Sequence, residues 1–180
     1  MRFRLSKRRK KILLVAAIVL ALGYLVPEKG VLPVQGATVD SWDPDSFWHE
    51  PWGVSGVHKG IDIFAPQGTP VLAATSGVVT YAGTKSLGGN VVLILGPKWR
   101  LHYYAHLETA AVTAGQPVRP GQFIGTVGDT GNARGKPHHL HYVIRTPFPV
   151  PWEFRVDTTQ GWKRMFFFDP VERFRVWQVI

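Results

Sequence analysis

Short runs of β-branched and aromatic residues, separated by glycine-containing turns, fill the chain from about residue 53 onward. Runs of this length and composition, bounded by turn residues, are typical of β-strands. No segment in this part keeps a helical apolar period over three turns. The pattern therefore predicts an all-β domain with a barrel-like or sandwich architecture. The predicted strands are residues 61–64, 70–73, 77–81, 90–95, 102–106, 122–127 and 139–144.

Near the C-terminus, Asp169 stands directly before Pro170. This order matches a helix N-cap followed by proline at the first helical position, so it predicts one short terminal helix. Residues 147–167, just before it, are aromatic and contain proline. Three interpretations of that segment stay open: packing over a barrel end, lining a substrate groove, or lying against a membrane surface.

The N-terminus has a different pattern. Seven basic residues fall within the first eleven positions, and residues 12–26 that follow carry no charge. A basic flank followed by an apolar run is typical of a secretory signal or of an N-terminal signal anchor. A fifteen-residue helix spans about 22 Å, short of the hydrocarbon core of about 30 Å, so length alone does not separate the two.

The absence of a nearby small-x-small cleavage site favours an uncleaved transmembrane helix over a cleaved signal. Either alternative sends the rest of the chain out of the cytoplasm, as a membrane-tethered, periplasmic or secreted protein of the cell envelope. The predicted organisation is a basic leader and helix over residues 1–27, a linker rich in Pro, Gly, Asp and Trp over 28–50, and one domain over 51–180.

Charge and cysteine content exclude several classes of function. The formal net charge is +9, but from position 12 onward 14 basic residues face 12 acidic ones, a net charge of +2. A nucleic-acid-binding domain needs a basic excess to offset phosphate charge, so no nucleic-acid partner is expected. The chain has no cysteine, which excludes disulfides and thiolate metal sites.

Histidine and aspartate pairs carry the candidate chemistry. His58 and Asp62 are four residues apart, and His139 and His141 are two apart, so each pair falls on one face of a strand. Imidazole and carboxylate groups are zinc ligands, and three protein ligands plus water make a catalytic site. With seven His and seven Asp in 180 residues, chance gives about 0.3 H-x3-D pairs and about 0.2 H-x-H pairs. Their coexistence therefore indicates a site, although spacing alone leaves His139 open as a ligand.

These motifs also bear a family resemblance. The run HKGIDIFAPQGTPV over residues 58–71 resembles the first motif of the lysostaphin-type (LytM-like) zinc metallopeptidases. HLHY at 139–142 is similar to the closing motif of that family, and Asp169-Pro170 to its terminal turn. The intervening blocks stand in the family's order, at residues 88–92, 103–107, 115–118, 121–125 and 128–132.

The resemblance implies a duplicated hybrid motif fold and hydrolysis of peptide cross-links in bacterial peptidoglycan. It implies one zinc ion per chain, held by His58, Asp62 and His141. By the same resemblance, His106 and His139 act on the attacking water and on the transition state. The expected partners are peptidoglycan and, through the N-terminal helix, a membrane.

Two other functions compete with a peptidase. The first is a non-catalytic cell-wall scaffold or activator of another peptidoglycan hydrolase, because the family includes members that have lost ligands. All five site residues are retained in this chain, which favours the enzyme. The second is a membrane-tethered barrel that binds sugars or peptides, suggested by the seven tryptophans.

Three departures from the family pattern stand out. Val143 follows the aromatic of the closing motif where many relatives carry Glu, and His138 stands where proline is common. The linker has no obvious fourth ligand of the kind that blocks latent relatives, although His49 or Asp45 could reach the site.

Overall fold

The computed structural model describes residues 6–180, so Arg2 and Arg4 of the predicted leader lie outside the described residues. Nine antiparallel strands make up the body: β1 (Ile61–Phe64), β2 (Pro70–Leu72), β3 (Gly77–Lys85), β4 (Gly89–Leu95), β5 (Leu101–Ala110), β6 (Pro117–Val118), β7 (Phe123–Val127), β8 (His139–Arg145) and β9 (Phe167–Phe168). The described part of the chain also forms two α-helices, α1 (Lys7–Leu25) and α2 (Pro170–Val176).

All nine strands belong to one hydrogen-bonded sheet. The main path runs β1-β8-β5-β4-β3-β6, β7 pairs with both β2 and β5, and β9 pairs with β8. The predicted all-β class and all seven predicted strands are confirmed. The sheet branches at β5, whose first part pairs with β4 and β8 and whose last part pairs with β7. The pairing thus gives a single branched sheet and not the two separate sheets of a sandwich.

Alternation along β1 and β8 separates the core from the opposite face of the sheet. Ile61 and Ile63 are fully buried, and so are Leu140, Tyr142 and Ile144. Each large apolar side chain buried in this way contributes about 1.5–3 kcal/mol relative to exposure. Because strand side chains alternate, the intervening residues of both strands all face the other side.

The predicted terminal helix is confirmed as α2. Asp169 is its N-cap, with Oδ1 accepting a hydrogen bond from the Val171 amide at 2.9 Å, and Pro170 is its first residue. Phe174 is fully buried and stacks on Tyr142, with ring centroids 6.1 Å apart. The helix therefore covers the core side of β8.

Residues 28–50, predicted as a linker, pack along the core. Val34 is 1% exposed and forms a bridge with Val71 of β2, and Trp42 is 5% exposed with its ring edge against Phe174. The Glu28 carboxylate, also buried, forms an ion pair with Arg100. Backbone pairing, apolar burial and an ion pair all attach this segment to the domain.

The helix predicted from the apolar N-terminal run forms as α1. Its side chains are mostly exposed, and its C-terminal part contacts the turn Pro97–Trp99, where the Trp99 indole donates to the Leu20 carbonyl oxygen at 2.9 Å. Within residues 6–180, no helix combines the length and the apolar character needed to cross a membrane. The predicted transmembrane helix is thus not supported, since α1 begins with five consecutive charged residues (Lys7, Arg8, Arg9, Lys10 and Lys11) that shorten its apolar part.

A buried histidine lies on the core side of β5. His102 is fully buried, and its Nδ1 is hydrogen-bonded to the Tyr142 hydroxyl at 2.7 Å. Burial, reinforced by the positive charge of Arg100, lowers the pKa of His102 to about 3. The imidazole is therefore neutral in the folded chain at any pH well above that value.

We expect this histidine to make the fold acid-sensitive. Above pH 6.5, the ordinary pKa of the side chain, both states hold a neutral imidazole, and between about 6.5 and 3 only the unfolded chain takes up the proton. In the wild-type protein, His102 therefore lowers the free energy of unfolding by up to about 1.4 kcal/mol for each pH unit below 6.5. The His102→Gln variant lacks this decrease. Denaturant titrations of both proteins from about pH 7 to about pH 4 measure the difference in slope. Parallel stability curves would contradict the assignment.

Candidate metal centre

The pairing of β1 with β8 brings two of the predicted ligands together. Asp62 is the direct cross-strand partner of His141. His58 lies just before β1 and is held by two backbone hydrogen bonds, from the Trp48 amide to its carbonyl oxygen at 2.6 Å and from its own amide to the His49 carbonyl oxygen at 2.9 Å. The three side chains consequently meet on the face of the sheet that is opposite the core.

Glycine is required between the first two ligands. A Cβ at Gly60 would collide with the carbonyl oxygen of Tyr142 on β8. Its absence lets the chain enter β1 in close contact with β8. The glycine of the H-x-G-x-D run therefore has a packing role in placing Asp62 beside β8.

The donor atoms of these three residues converge. His58 Nε2 lies 3.1 Å from Asp62 Oδ1 and 3.1 Å from His141 Nδ1, and the last two atoms are 2.8 Å apart. All three offer ligand atoms within 4.8 Å of one another. A tetrahedral ion with ligands at about 2.0–2.2 Å separates its ligand atoms by about 3.4 Å. Two imidazole nitrogens and a carboxylate oxygen at this spacing fit a zinc ion.

The protonation states suit metal binding. The backbone carbonyl oxygen of Ser46 accepts a hydrogen bond from His58 Nδ1 at 3.0 Å. In the neutral ring, Nε2 then carries the free lone pair. Burial alone would raise the pKa of Asp62, but the contacts of its carboxylate with His141 and His58 outweigh burial and lower the pKa well below its usual range. Burial also lowers the pKa of His141, against the pull of Asp62. An ionised carboxylate and neutral imidazoles are the forms that bind metal.

The two remaining predicted residues lie beside the three donors. The His106 ring is 5.1 Å from the His139 ring, and His139 Nε2 is 3.9 Å from Asp62 Oδ2. His106 Nδ1 donates to the Thr130 carbonyl oxygen at 2.8 Å, and His139 Nδ1 donates to the Pro137 carbonyl oxygen at 2.7 Å. Burial lowers the pKa of His106 to about 4, so near neutral pH its imidazole is neutral and Nε2 carries a free lone pair. All five predicted site residues are therefore together.

A β-bulge on β5 turns His106 toward the site. The registers on either side of it place Ala105 and His106 opposite the single residue Val91. His106 also has φ of 64°, in the left-handed region that non-glycine residues seldom occupy. Without the extra residue, His106 would follow His102 and Tyr104 to the core side, because strand side chains alternate.

Sequence reasoning missed one residue of the site. The indole of Trp52 stacks on the His58 imidazole, with centroids 4.0 Å apart and an interplanar angle of 20°. No regular spacing around Trp52 signals this contact. Among residues 6–180, neither His49 nor Asp45 belongs to the group of donor atoms that could hold a metal ion.

The unassigned segment 147–167 packs beside the loop that carries this tryptophan. Thr159 donates its amide hydrogen to a Glu50 carboxylate oxygen at 3.1 Å. The Gln160 side-chain amide donates to the Ser55 carbonyl oxygen at 2.9 Å. These contacts fix the loop over residues 50–55, and with it the indole that covers His58.

A groove of about 910 Å³ runs along the face that carries the five residues. Its floor crosses four neighbouring strands, from β8 through β5 and β4 to β3, and Trp52 with the residues after it forms one wall. The floor side chains beyond the five are Val143, Tyr103, Ala105, Leu93 and Tyr81. A groove of this volume has room for an extended peptide of several residues.

Comparison with known proteins gives a consistent picture. A family model described as Peptidase family M23 matches residues 56–151, just over half of the chain. The DD-carboxypeptidase/endopeptidase Mpg of Neisseria meningitidis is 46% identical over 89 residues, which cover 49% of this chain and 20% of that protein. The peptidoglycan DD-endopeptidase ShyC of Vibrio cholerae is 40% identical over 94 residues, 52% of this chain and 21% of that protein.

A solved structure extends the likeness to the fold. The catalytic domain of lysostaphin from Staphylococcus simulans aligns with a TM-score of 0.56 and 29% identity, covering 69% of this chain and 85% of that domain. The chain spans about a fifth of the length of the two curated relatives. The residues that the family model matches contain the motifs around His58 and His141.

We expect Trp52 to position His58 for metal binding. Trp52→Ala removes the stacked ring and frees the imidazole to rotate, so the affinity for zinc should fall by roughly 10–100-fold, the usual effect of losing an outer-shell contact. Competition with a chromogenic chelator measures that affinity. Trp52→Phe should restore most of it, and Trp152→Ala, which removes a tryptophan that is 77% exposed, is the matched control. Equal affinities for Trp52→Ala and Trp152→Ala would refute the positioning role.

Proposed function

Because the chain belongs to peptidase family M23, as the resemblance of its motifs predicted, we propose that it is a zinc-dependent endopeptidase that hydrolyses peptide cross-links of bacterial peptidoglycan. The observation that carries the proposal is the meeting of His58, Asp62, His141, His106 and His139 in one groove. The names of the relatives add support, since one of them is a peptidoglycan DD-endopeptidase. The peptidase domain is assigned to residues 51–180.

One zinc ion per chain is assigned to His58, Asp62 and His141. Their donor set, charge state and spacing support that ion, and the absence of cysteine leaves nitrogen and oxygen as its ligands. A bound zinc supplies a Lewis acid that polarises the scissile carbonyl and makes water more acidic. The three residues themselves fix where on the groove floor that chemistry takes place.

His106 and His139 are assigned to proton transfer and charge stabilisation. A neutral imidazole Nε2 can take a proton from the attacking water and return it to the leaving amine. The second imidazole, once it carries a proton, can donate to the oxygen that becomes negative in the transition state. Since the two rings are 5.1 Å apart, both can reach the same reacting carbon and its oxygens.

A cell-envelope location follows from this substrate, which lies outside the cytoplasm. The competing proposal is a cell-wall scaffold or activator that binds peptidoglycan without cutting it. Retention of two histidines that are not assigned as ligands argues for chemistry, because binding alone does not need a proton acceptor beside the ligands. The two proposals differ in whether fragments are released.

The metal assignment predicts that replacing any one of the three ligands removes most of the bound zinc. His58→Ala, Asp62→Ala and His141→Ala should each reduce zinc from about one ion per chain to a small fraction, since each removes one of three protein ligands. Elemental analysis of the full chain after dialysis against a weak chelator gives the stoichiometry. His49→Ala, which alters an exposed histidine outside the donor group, should keep its zinc. Stoichiometric zinc in all three ligand variants would rule out this assignment.

The proton-transfer assignment predicts a separation of binding from turnover. His106→Ala and His139→Ala should keep zinc near the wild-type level and lose roughly 10²–10⁴-fold in turnover, the scale for a positioned acid or base. Full-length protein with zinc is incubated with purified peptidoglycan, and released fragments are quantified by mass spectrometry. The double variant should be little worse than either single one if the two imidazoles act on one transition state.

Three outcomes of that experiment decide the proposal. Fragments cut at a peptide bond support the endopeptidase. Binding to peptidoglycan without any fragment, by zinc-loaded wild type, would establish the scaffold instead. Zinc loss in His139→Ala together with zinc retention in His141→Ala would exchange the roles of these two residues.

A further inference from the structure

The groove has an unbalanced charge. Among the described residues that line it, the cations are Lys59, Lys85, Lys136 and Arg145, whereas Asp62 is the single carboxylate. Asp62 is assigned to zinc, so its negative charge is already matched. The rest of the groove therefore presents positive charge to whatever enters it.

Three of these cations have no carboxylate partner among the described residues. Within residues 6–180, no carboxylate lies within 4.0 Å of the charged nitrogens of Lys85, Lys136 or Arg145. All three side chains are exposed, and the Lys85 ammonium lies over the Tyr81 ring at 4.5 Å from its centroid. Lys59 differs, because its ammonium donates to the Ser55 carbonyl oxygen at 2.9 Å. We therefore assign Lys59 to the wall of the groove and do not count it among the free cations.

The three free cations stand at peptide-length distances from the metal centre. Arg145 lies on the same face of β8 as His141 and four residues further along, which is about 13 Å at the usual rise of a strand. Lys85 belongs to β3, three strands away from β8, or at least about 14 Å across the sheet. Lys136 precedes His139 by three residues, on the loop at the other end of β8.

We propose that this groove selects peptides that carry free carboxylates on both sides of the bond to be cut, read by Arg145, Lys85 and Lys136. The inference rests on the proposed peptidase function, because it takes the bound segment to be a substrate. A bare cation in a partly enclosed groove attracts a carboxylate more strongly than it would in open solution. An amidated or neutral peptide of the same length gains none of this attraction.

The test compares two peptides that differ only in charge. One is a cross-linked stem peptide with its carboxylates free, and the other is the same peptide with every carboxylate amidated. Dissociation constants are measured by calorimetry on zinc-loaded, full-length His106→Ala, in which hydrolysis is slowed. The ratio of kcat/KM for the two peptides is measured on zinc-loaded protein that retains His106.

The acidic peptide should bind at least about tenfold more tightly, and raising the salt from about 50 to about 300 mM should reduce that preference. Lys85→Gln, Lys136→Gln and Arg145→Gln should each lower the preference by roughly three- to tenfold. Arg119→Gln, which removes an exposed cation outside the groove, should leave the preference intact.

The outcomes separate this inference from the function on which it rests. If both peptides are cut and bind equally well, the charge selection is wrong and the peptidase stands. If neither is cut while the acidic peptide binds more tightly in a manner that depends on the three cations, the peptidase proposal fails and the charge selection stands. A loss of preference in Arg119→Gln as large as in the groove variants would also overturn the inference, because it would reflect net charge alone.

Discussion

The antiparallel pairing of β1 with β8 is the constraint on which the site depends. It sets Asp62 against His141 on one face and buries Ile61, Leu140 and Tyr142 on the other. A slip of one residue would exchange the two faces, burying charged groups and exposing apolar ones. The same burial that stabilises the core thus holds the two donors in register. The hydrophobic pattern and the metal-binding pattern are two aspects of one alternation.

Electrostatics then complete the arrangement. Asp62 is ionised because its contacts with two histidines outweigh the cost of its burial, and His106 is neutral because burial removes it from water. Each condition depends on the neighbours that the strands supply. In each of His58, His106 and His139, Nδ1 donates a hydrogen bond to a backbone carbonyl oxygen of a loop. This hydrogen bond directs the other ring nitrogen, Nε2, into the groove. The loops therefore select the tautomers, and the sheet supplies the positions.

Most strands and the metal-binding pairs could be predicted from the sequence. The features that could not be predicted depend on contacts that leave no local pattern. Short runs of β-branched and aromatic residues between glycine-containing turns predicted seven strands, while β6 and β9 have only two residues each and are too short to give such a signal. Spacing on strands predicted the pairs His58–Asp62 and His139–His141, and the family resemblance implied His141 as the third ligand. The orientation of His106 has no such signal, because it depends on a bulge in the pairing of β5 with β4. Trp52 contacts His58 only through a loop braced by residues more than a hundred positions later. The N-terminal apolar run forms a helix, but the five charged residues at the start of α1 shorten its apolar part, and the predicted transmembrane helix is not supported within residues 6–180.

The floor and the wall of the groove come from separate parts of the chain. The floor belongs to the sheet, where any change of register would disturb the core. The wall over residues 50–55 is held by side-chain and backbone hydrogen bonds from the segment after β8, and it pairs with none of the nine strands. Insertions or substitutions in that later segment can reshape the wall at little cost to the sheet. Under the proposed function, descendants of such a chain can acquire new cleavage preferences while inheriting an unchanged reaction centre.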